Sequence, residues 1–245
     1  MDFGHGERVL LTHGGWTGNW ELWEQQAETL SRDGWRVVAY DHRGSGFADT
    51  EPATINLDAL VDDLFEVLDH LGIGRCVVAG ESMGTAVALL AVLRDPSRFS
   101  GLVLVAGAGV WRRVTLLPFL AGLRIAYRLT LRMFVTLAIP ERDVRRYVRR
   151  WAISILHQAR PAAARRLIRS LVGVDLRPRL PDVHVPTLVI HGSRDPIVLP
   201  REGRALAGAI RDAKLVVLPG AGHVPTMTRP AEVSRAIDEF AAGDP

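Results

Sequence analysis

Short runs rich in valine and leucine alternate along this chain with longer segments of helical period, and that alternation restricts its fold more than any other feature. Residues 9–12, 36–40, 76–79, 102–105, 187–190 and 215–218 are apolar with little polar alternation, which marks strands buried on both sides of a parallel sheet. Residues 20–31, 57–71, 85–93, 201–210 and 231–242 space their apolar side chains for one face of a helix. The expectation is an α/β fold, a mostly parallel central sheet with helices on both faces. Each strand run is followed by Gly, Asp, His or Pro, for the run 102–105 after an intervening Ala106, so polar chemistry is expected at the carboxyl edge of the sheet, where open α/β folds collect it.

At that edge, Gly80-Glu81-Ser82-Met83-Gly84 lies between a strand and a helix. A sharp turn there strains the serine backbone and exposes its hydroxyl, and small residues two before and two after allow helix and strand to approach closely. An ordinary glycine-rich turn is the bland alternative. A serine hydroxyl needs a base, and the base needs an orienting carboxylate. Of eight histidines, His223 in Gly220-Ala221-Gly222-His223 combines a glycine-rich loop with a place just after the last strand. His42 and His191, also near strand ends, are the alternatives, while His13 is expected to fix its own loop by hydrogen bonding. His5, His70, His157 and His184 read as surface or helix residues. Asp195 follows the preceding strand and completes the order Ser82, Asp195, His223; alone it would read as a turn residue before proline. The oxyanion of acyl transfer needs two donors. The Met83 amide is the first, and the Gly15 amide in His13-Gly14-Gly15-Trp16 is the second, with Trp16 as its alternative. That loop lacks the ending of a phosphate-binding P-loop and the spacing of a dinucleotide fingerprint.

Charge divides the chain. Between residues 111 and 180 there are 16 arginines against Glu141, Asp143 and Asp175, a surplus of 13 positive charges, whereas the whole chain carries only +3. A segment so different from its flanks reads as an insertion, giving a core of residues 1–110 and 181–245 and a helical cap over 111–180. Arg124, Arg128 and Arg132 recur every four residues, and Arg142, Arg145, Arg146, Arg149 and Arg150 follow helical spacing, so each series is expected to form one basic stripe. Such stripes usually face solvent; peripheral contact with anionic lipid is the sharper alternative. No nucleic-acid recognition motif accompanies the charge. Apolar positions at Trp16, Trp111, Phe119 and Phe134 are candidates for lining a substrate pocket, although most apolar residues of the insertion should simply pack it on the core.

With 245 residues, 48% of them hydrophobic and 23% charged, the chain suits one large globular domain and is not disordered, collagen-like or disulfide-stapled. Cys76 is the single cysteine, residues 1–8 show no secretory signal pattern, and no uncharged apolar stretch reaches the 18 or so residues of a membrane span. A cytoplasmic setting is therefore expected.

Taken together, His13-Gly14-Gly15, Asp41-His42-Arg43-Gly44-Ser45-Gly46, Gly80 to Gly84, Asp195 and Gly222-His223 resemble the α/β-hydrolase superfamily over most of the chain, in the family's order. The resemblance implies a mobile cap at residues 111–180 and a structural, bracing role for the Asp41–Gly46 turn. It also implies a serine esterase acting on a small to medium hydrophobic ester or lactone, without metal or cofactor. A carbon–carbon bond or thioester hydrolase, a cofactor-free perhydrolase and, from a different class, a ligand receptor on the same scaffold are the alternatives. Haloalkane dehalogenases and epoxide hydrolases of this superfamily carry Asp where this chain has Ser82. Only eight residues precede Val9, so the family's opening strand is expected to be missing or trimmed and the sheet shorter.

Overall fold

A computed structural model describes residues 1–48 and 50–243. Its strands are β1 (Asp2–Phe3), β2 (Arg8–His13), β3 (Trp35–Ala39), β4 (Cys76–Glu81), β5 (Phe99–Val105), β6 (Thr187–Gly192) and β7 (Ala213–Leu218), forming one sheet in the order β1-β3-β2-β4-β5-β6-β7. Every pairing is parallel except β1 with β3, where Asp2 faces Val38 and Phe3 faces Val37. The expected loss of the opening strand is thus corrected. Two residues are too few to show any period, yet they pair because Gly4, at φ 73°, turns the chain back toward β2.

The helices are α1 (Glu24–Arg32), α2 (Leu57–His70), α3 (Met83–Arg94), α4 (Arg113–Ile125), α5 (Tyr127–Ala138), α6 (Arg146–Gln158), α7 (Pro161–Leu171), α8 (Pro200–Ala209), α9 (Pro225–Thr228) and α10 (Pro230–Ala242). From β2 the chain crosses through α1 to β3 on one side, then returns through α2 past β2 to β4. Right-handed crossovers in opposite directions put α1 on one face and α2, α3 and α8 on the other. α10 packs on α1, and α2 on α3. The reversal leaves a crevice between the ends of β2 and β4, and the loops carrying Gly15 and Ser82 both start there.

Local sequence explains the main elements. α2 buries Leu60, Val61, Leu64 and Leu68, and Asn56 caps its start by accepting the Ala59 N–H at 2.9 Å. α3 is apolar nearly all round and buries nine residues, as suits a helix enclosed by sheet, neighbours and insertion. Trp23, Trp35 and Phe99 are the largest fully buried side chains.

Helices α4 to α7 lie between β5 and β6. Leu120, Leu123, Leu131, Val135, Ile155, Leu167 and Ile168 from these helices join the same apolar cluster as the strands. Neither arginine series is one helical stripe: Arg124 lies in the last turn of α4 while Arg128 and Arg132 lie on α5, the helix breaking at Ala126, and the second series is divided as well. α6 begins only at Arg146, leaving Arg142 and Arg145 in the loop before it, and Arg149 turns inward to the carbonyls of Ile139, Glu141 and Val144. Pro140, which cannot extend α5, and the demand for partners on those loop carbonyls account for the difference.

Candidate active site

β4 delivers its chain directly into Ser82, whose φ of 52° and ψ of −116° lie in a region that costs a side-chain-bearing residue energy. The Ser82 N–H is held by the Val105 carbonyl at 2.8 Å, and helix α3 starts at the next residue. Gly84 is required by contact: a Cβ there would lie 2.6 Å from the Gly14 carbonyl and 2.7 Å from the His13 carbonyl. The elbow and the loop after β2 are therefore pressed together.

His223 Nε2 sits 2.9 Å from Ser82 Oγ, and its Nδ1 sits 2.8 Å from Asp195 Oδ2. Three side chains from the ends of β4, β6 and β7 thus form one hydrogen-bonded line. Asp195 Oδ1 accepts the amides of Ile197 at 2.8 Å and Val198 at 3.0 Å, which fixes the carboxylate. Burial pushes the Asp195 pKa up. The His223 charge, with hydrogen bonds from His191, His223 and the Val198 amide, outweighs that and keeps the carboxyl well below the usual range. The other strand-end histidines hold loops instead: His13 Nδ1 meets the Gly14 carbonyl at 2.7 Å, His42 Nδ1 the Arg43 carbonyl at 3.1 Å, and His191 Nε2 the Val198 carbonyl at 2.8 Å. The His13 and His42 rings stack at 4.6 Å, and burial lowers both pKa values. Asp41 accepts the amides of Trp20 and Phe47 and so braces the turn that follows β3.

Met83 and Gly15 both adjoin Ser82. Met83 opens α3, where the first N–H groups have no partner within the helix. The Gly15 backbone touches the elbow, since a Cβ there would lie 3.2 Å from Ser82 Cβ.

Ser82 stands between two cavities. The inner one is lined almost wholly by apolar groups, among them Leu22, Val135, Ala152, Ile155, Leu156 and Met227, with His223 in its wall. The outer one runs past Trp111, Leu116, Phe119 and Ile197 to a rim carrying Arg112, Arg201 and Glu202. Trp16 and Phe134 line both. Trp16, Phe119 and Phe134 form an aromatic cluster with ring centroids 5.0 to 5.6 Å apart, and Phe134 approaches the His223 ring edge-on at 6.1 Å. Trp111 stands apart from this cluster, in the outer cavity. Among the described residues no group of three or more His, Cys, Asp or Glu side chains is placed to hold a metal ion.

Two buried acids escaped the sequence reading. Glu81, next to Ser82, is hydrogen-bonded by the Thr226 hydroxyl at 2.9 Å. Glu141, from the loop between α5 and α6, accepts the Gly222 N–H at 2.7 Å and the Thr228 hydroxyl at 2.9 Å. The His223 N–H itself donates to the Ala138 carbonyl at 2.8 Å. Glu81 was visible inside the serine motif. Glu141 stood out only as one of three acids in a basic segment.

Residues 5–227 match the family described as serine aminopeptidase, S33. The chain is 29% identical to the pimeloyl-(acyl-carrier protein) methyl ester esterase of Nitrosomonas europaea, over 96% of each chain. It is 28% identical to 3-oxoadipate enol-lactonase 2 of Acinetobacter baylyi, over 96% of this chain and 90% of that one. Among solved structures, a thermophilic esterase from Thermogutta terrifontis is 29% identical and superposes with a TM-score of 0.88, covering 99% of this chain and 92% of the other. A sheet of this topology, a serine at the turn after β4 and a family match spanning nearly the whole chain agree: the protein belongs to the serine aminopeptidase S33 family of α/β hydrolases.

Proposed function

We propose that the protein is a serine hydrolase of carboxylic esters or lactones, with Ser82 as nucleophile, His223 as base and Asp195 as the group that orients it. The observation that carries this reading is the unbroken hydrogen-bonded line from Asp195 through His223 to Ser82 at the neck of an apolar cavity. Ser82 Oγ attacks the carbonyl carbon while His223 Nε2 takes its proton, and Asp195 stabilises the resulting imidazolium. The amides of Met83 and Gly15 hold the oxyanion. Collapse breaks the bond to the alcohol oxygen, which leaves with the proton from His223. Water, deprotonated by the same imidazole, then releases the acid from Ser82. With a lactone, both products stay in one hydroxy acid. Relatives that bear the names of an ester hydrolase and an enol-lactonase support this choice of bond.

The inner cavity suits the hydrophobic part of a small to medium substrate, and helices α4 to α7 act as a cap that completes both cavities. Trp16 and Phe134 form the aromatic wall that both cavities share, and Phe119 and Trp111 line the outer arm. The test is turnover of a p-nitrophenyl ester series together with labelling by a fluorophosphonate. Ser82→Ala should lower kcat/KM by roughly a millionfold and abolish labelling. Undiminished labelling of that variant would assign the nucleophile to another residue.

A further inference from the structure

Helix α5 has two unlike faces. Phe134, Val135 and Ala138 line the inner cavity, whereas Leu129, Met133 and Leu137, four residues apart, stand 58%, 56% and 52% exposed on the outside. Ile125, at the corner where α4 ends, is 86% exposed. Of the eleven large hydrophobic side chains that are exposed among the described residues, six lie on α4 and α5, the others of the six being Val114 and Leu117. A single exposed leucine is ordinary; a helical row of them is a contact surface without its partner.

Charge selects the partner. Arg124, Arg128 and Arg132 each precede one of these apolar residues, and all three are exposed. Among the described residues none of the three forms an ion pair, and residues 112–140 contain no acidic residue. Two copies of the chain meeting face to face here would set arginine against arginine. An anionic lipid surface instead takes up apolar side chains without needing a matching shape, and Arg124 in the last turn of α4 with Arg128 and Arg132 on α5 can keep their guanidinium groups at headgroup level.

We propose that the outer face of α5, with the α4 corner, docks the protein peripherally on an anionic lipid surface through Ile125, Leu129, Met133 and Leu137, held by Arg124, Arg128 and Arg132. The proposal does not depend on the reading of Ser82. The docked face lies one helix away from the inner cavity, so the lipid contact and the substrate pocket share a wall.

The full chain is sedimented with vesicles of phosphatidylcholine alone or with 30 mol % phosphatidylglycerol, an illustrative composition of about one anionic lipid in three. At low salt, three cations near the surface should favour the anionic vesicles on the order of 100-fold, and about 1 M salt should abolish the difference. The triple variants Leu129→Ser/Met133→Ser/Leu137→Ser and Arg124→Gln/Arg128→Gln/Arg132→Gln should each lose at least about tenfold of the retention. Near-wild-type urea midpoints would establish that both variants are folded, independently of turnover. Equal retention on neutral and anionic vesicles overturns the proposal, as does unchanged retention of either variant. A dimer in solution that either triple substitution dissociates would assign the face to a second copy of the chain instead.

Discussion

Glu81 and Asp195 are two buried carboxyl groups in one site, and their surroundings push them in opposite directions. Asp195 accepts two amides and a histidine ring, so its charged form is favoured. Burial dominates at Glu81; the Thr226 hydroxyl and amide counter it only in part, the Asp195 charge reinforces it, and the pKa rises from 4.5 to about 8. Near neutrality one acid is ionised and the other protonated, a separation typical of paired carboxyls in active sites. The consequence for stability has a definite sign. The unfolded chain releases the Glu81 proton near its ordinary pKa while the folded protein keeps it, so stability is complete below about pH 4.5 and declines until about pH 8. Asp195 acts inversely: its contribution is present above the ordinary carboxylate pKa and fades as acid protonates it. Urea unfolding at several pH values should show Glu81→Gln gaining on the wild type by on the order of 3–5 kcal/mol between pH 5 and 8. Parallel curves would mean that Glu81 ionises in the fold without penalty.

At the scale of elements, the end of α5 and the loop after it are fastened to the loop that carries His223. Ala138 accepts the His223 N–H, and Glu141 accepts those of Gly222 and the Thr228 hydroxyl. The fit is close: a Cβ on Gly222 would meet Pro140 Cδ at 2.4 Å and the Ala138 carbonyl at 2.5 Å. The imidazole is therefore positioned by the insertion as well as by the sheet. Glu141→Ala strands a buried amide and a hydroxyl, which costs about 1–3 kcal/mol of stability. It should also lower kcat more than it raises KM, because the base loses its registration while the apolar cavity keeps its lining. Glu141→Gln retains an acceptor oxygen and should restore most of the rate; equal loss in both variants would point to a requirement for the negative charge. None of this contact was legible in the sequence, because an acceptor 81 residues away from its amide leaves no spacing to read. The strands were legible, since β2 and β4 to β6 each contain a run of three or more apolar residues. Ser82, Asp195 and His223 could be singled out as well, because they follow the ends of β4, β6 and β7. β1 was not legible, being two residues long and dependent on β3 for its hydrogen bonds. The basic series from Arg142 to Arg150 has helical spacing, yet Pro140 and the demands of loop carbonyls divide it; periodicity describes a helix only where nothing competes for its backbone.

The whole molecule is divided in composition and joined in packing. A segment with 13 surplus positive charges sits on flanks that together carry ten negative ones, so their mutual field draws insertion and core together over distances that salt can screen. Short-range contacts do not depend on that field. Trp16 Nε1 donates to the Ala164 carbonyl at 2.8 Å, Trp151 Nε1 to Glu21 Oε2 at 2.6 Å, Asn19 Nδ2 to Gln158 Oε1 at 2.9 Å, and Arg166 Nε to the Ile55 carbonyl at 2.9 Å. Behind these bonds, the buried side chains of α4 to α7 belong to the same apolar cluster as the strands. An insertion that opened as a separate body would have to break all of them at once. Heat should therefore unfold insertion and core together, in one calorimetric transition with an enthalpy of roughly 170 kcal/mol near 60 °C for a chain of this length. About 0.5 M salt should lower the midpoint by weakening the long-range attraction, but it should not split the peak, because the hydrogen bonds and the common core survive screening. Two resolved peaks, or a van't Hoff enthalpy well below the calorimetric one, would show that the basic segment melts by itself and that its hold on the His223 loop is weaker than the contacts imply.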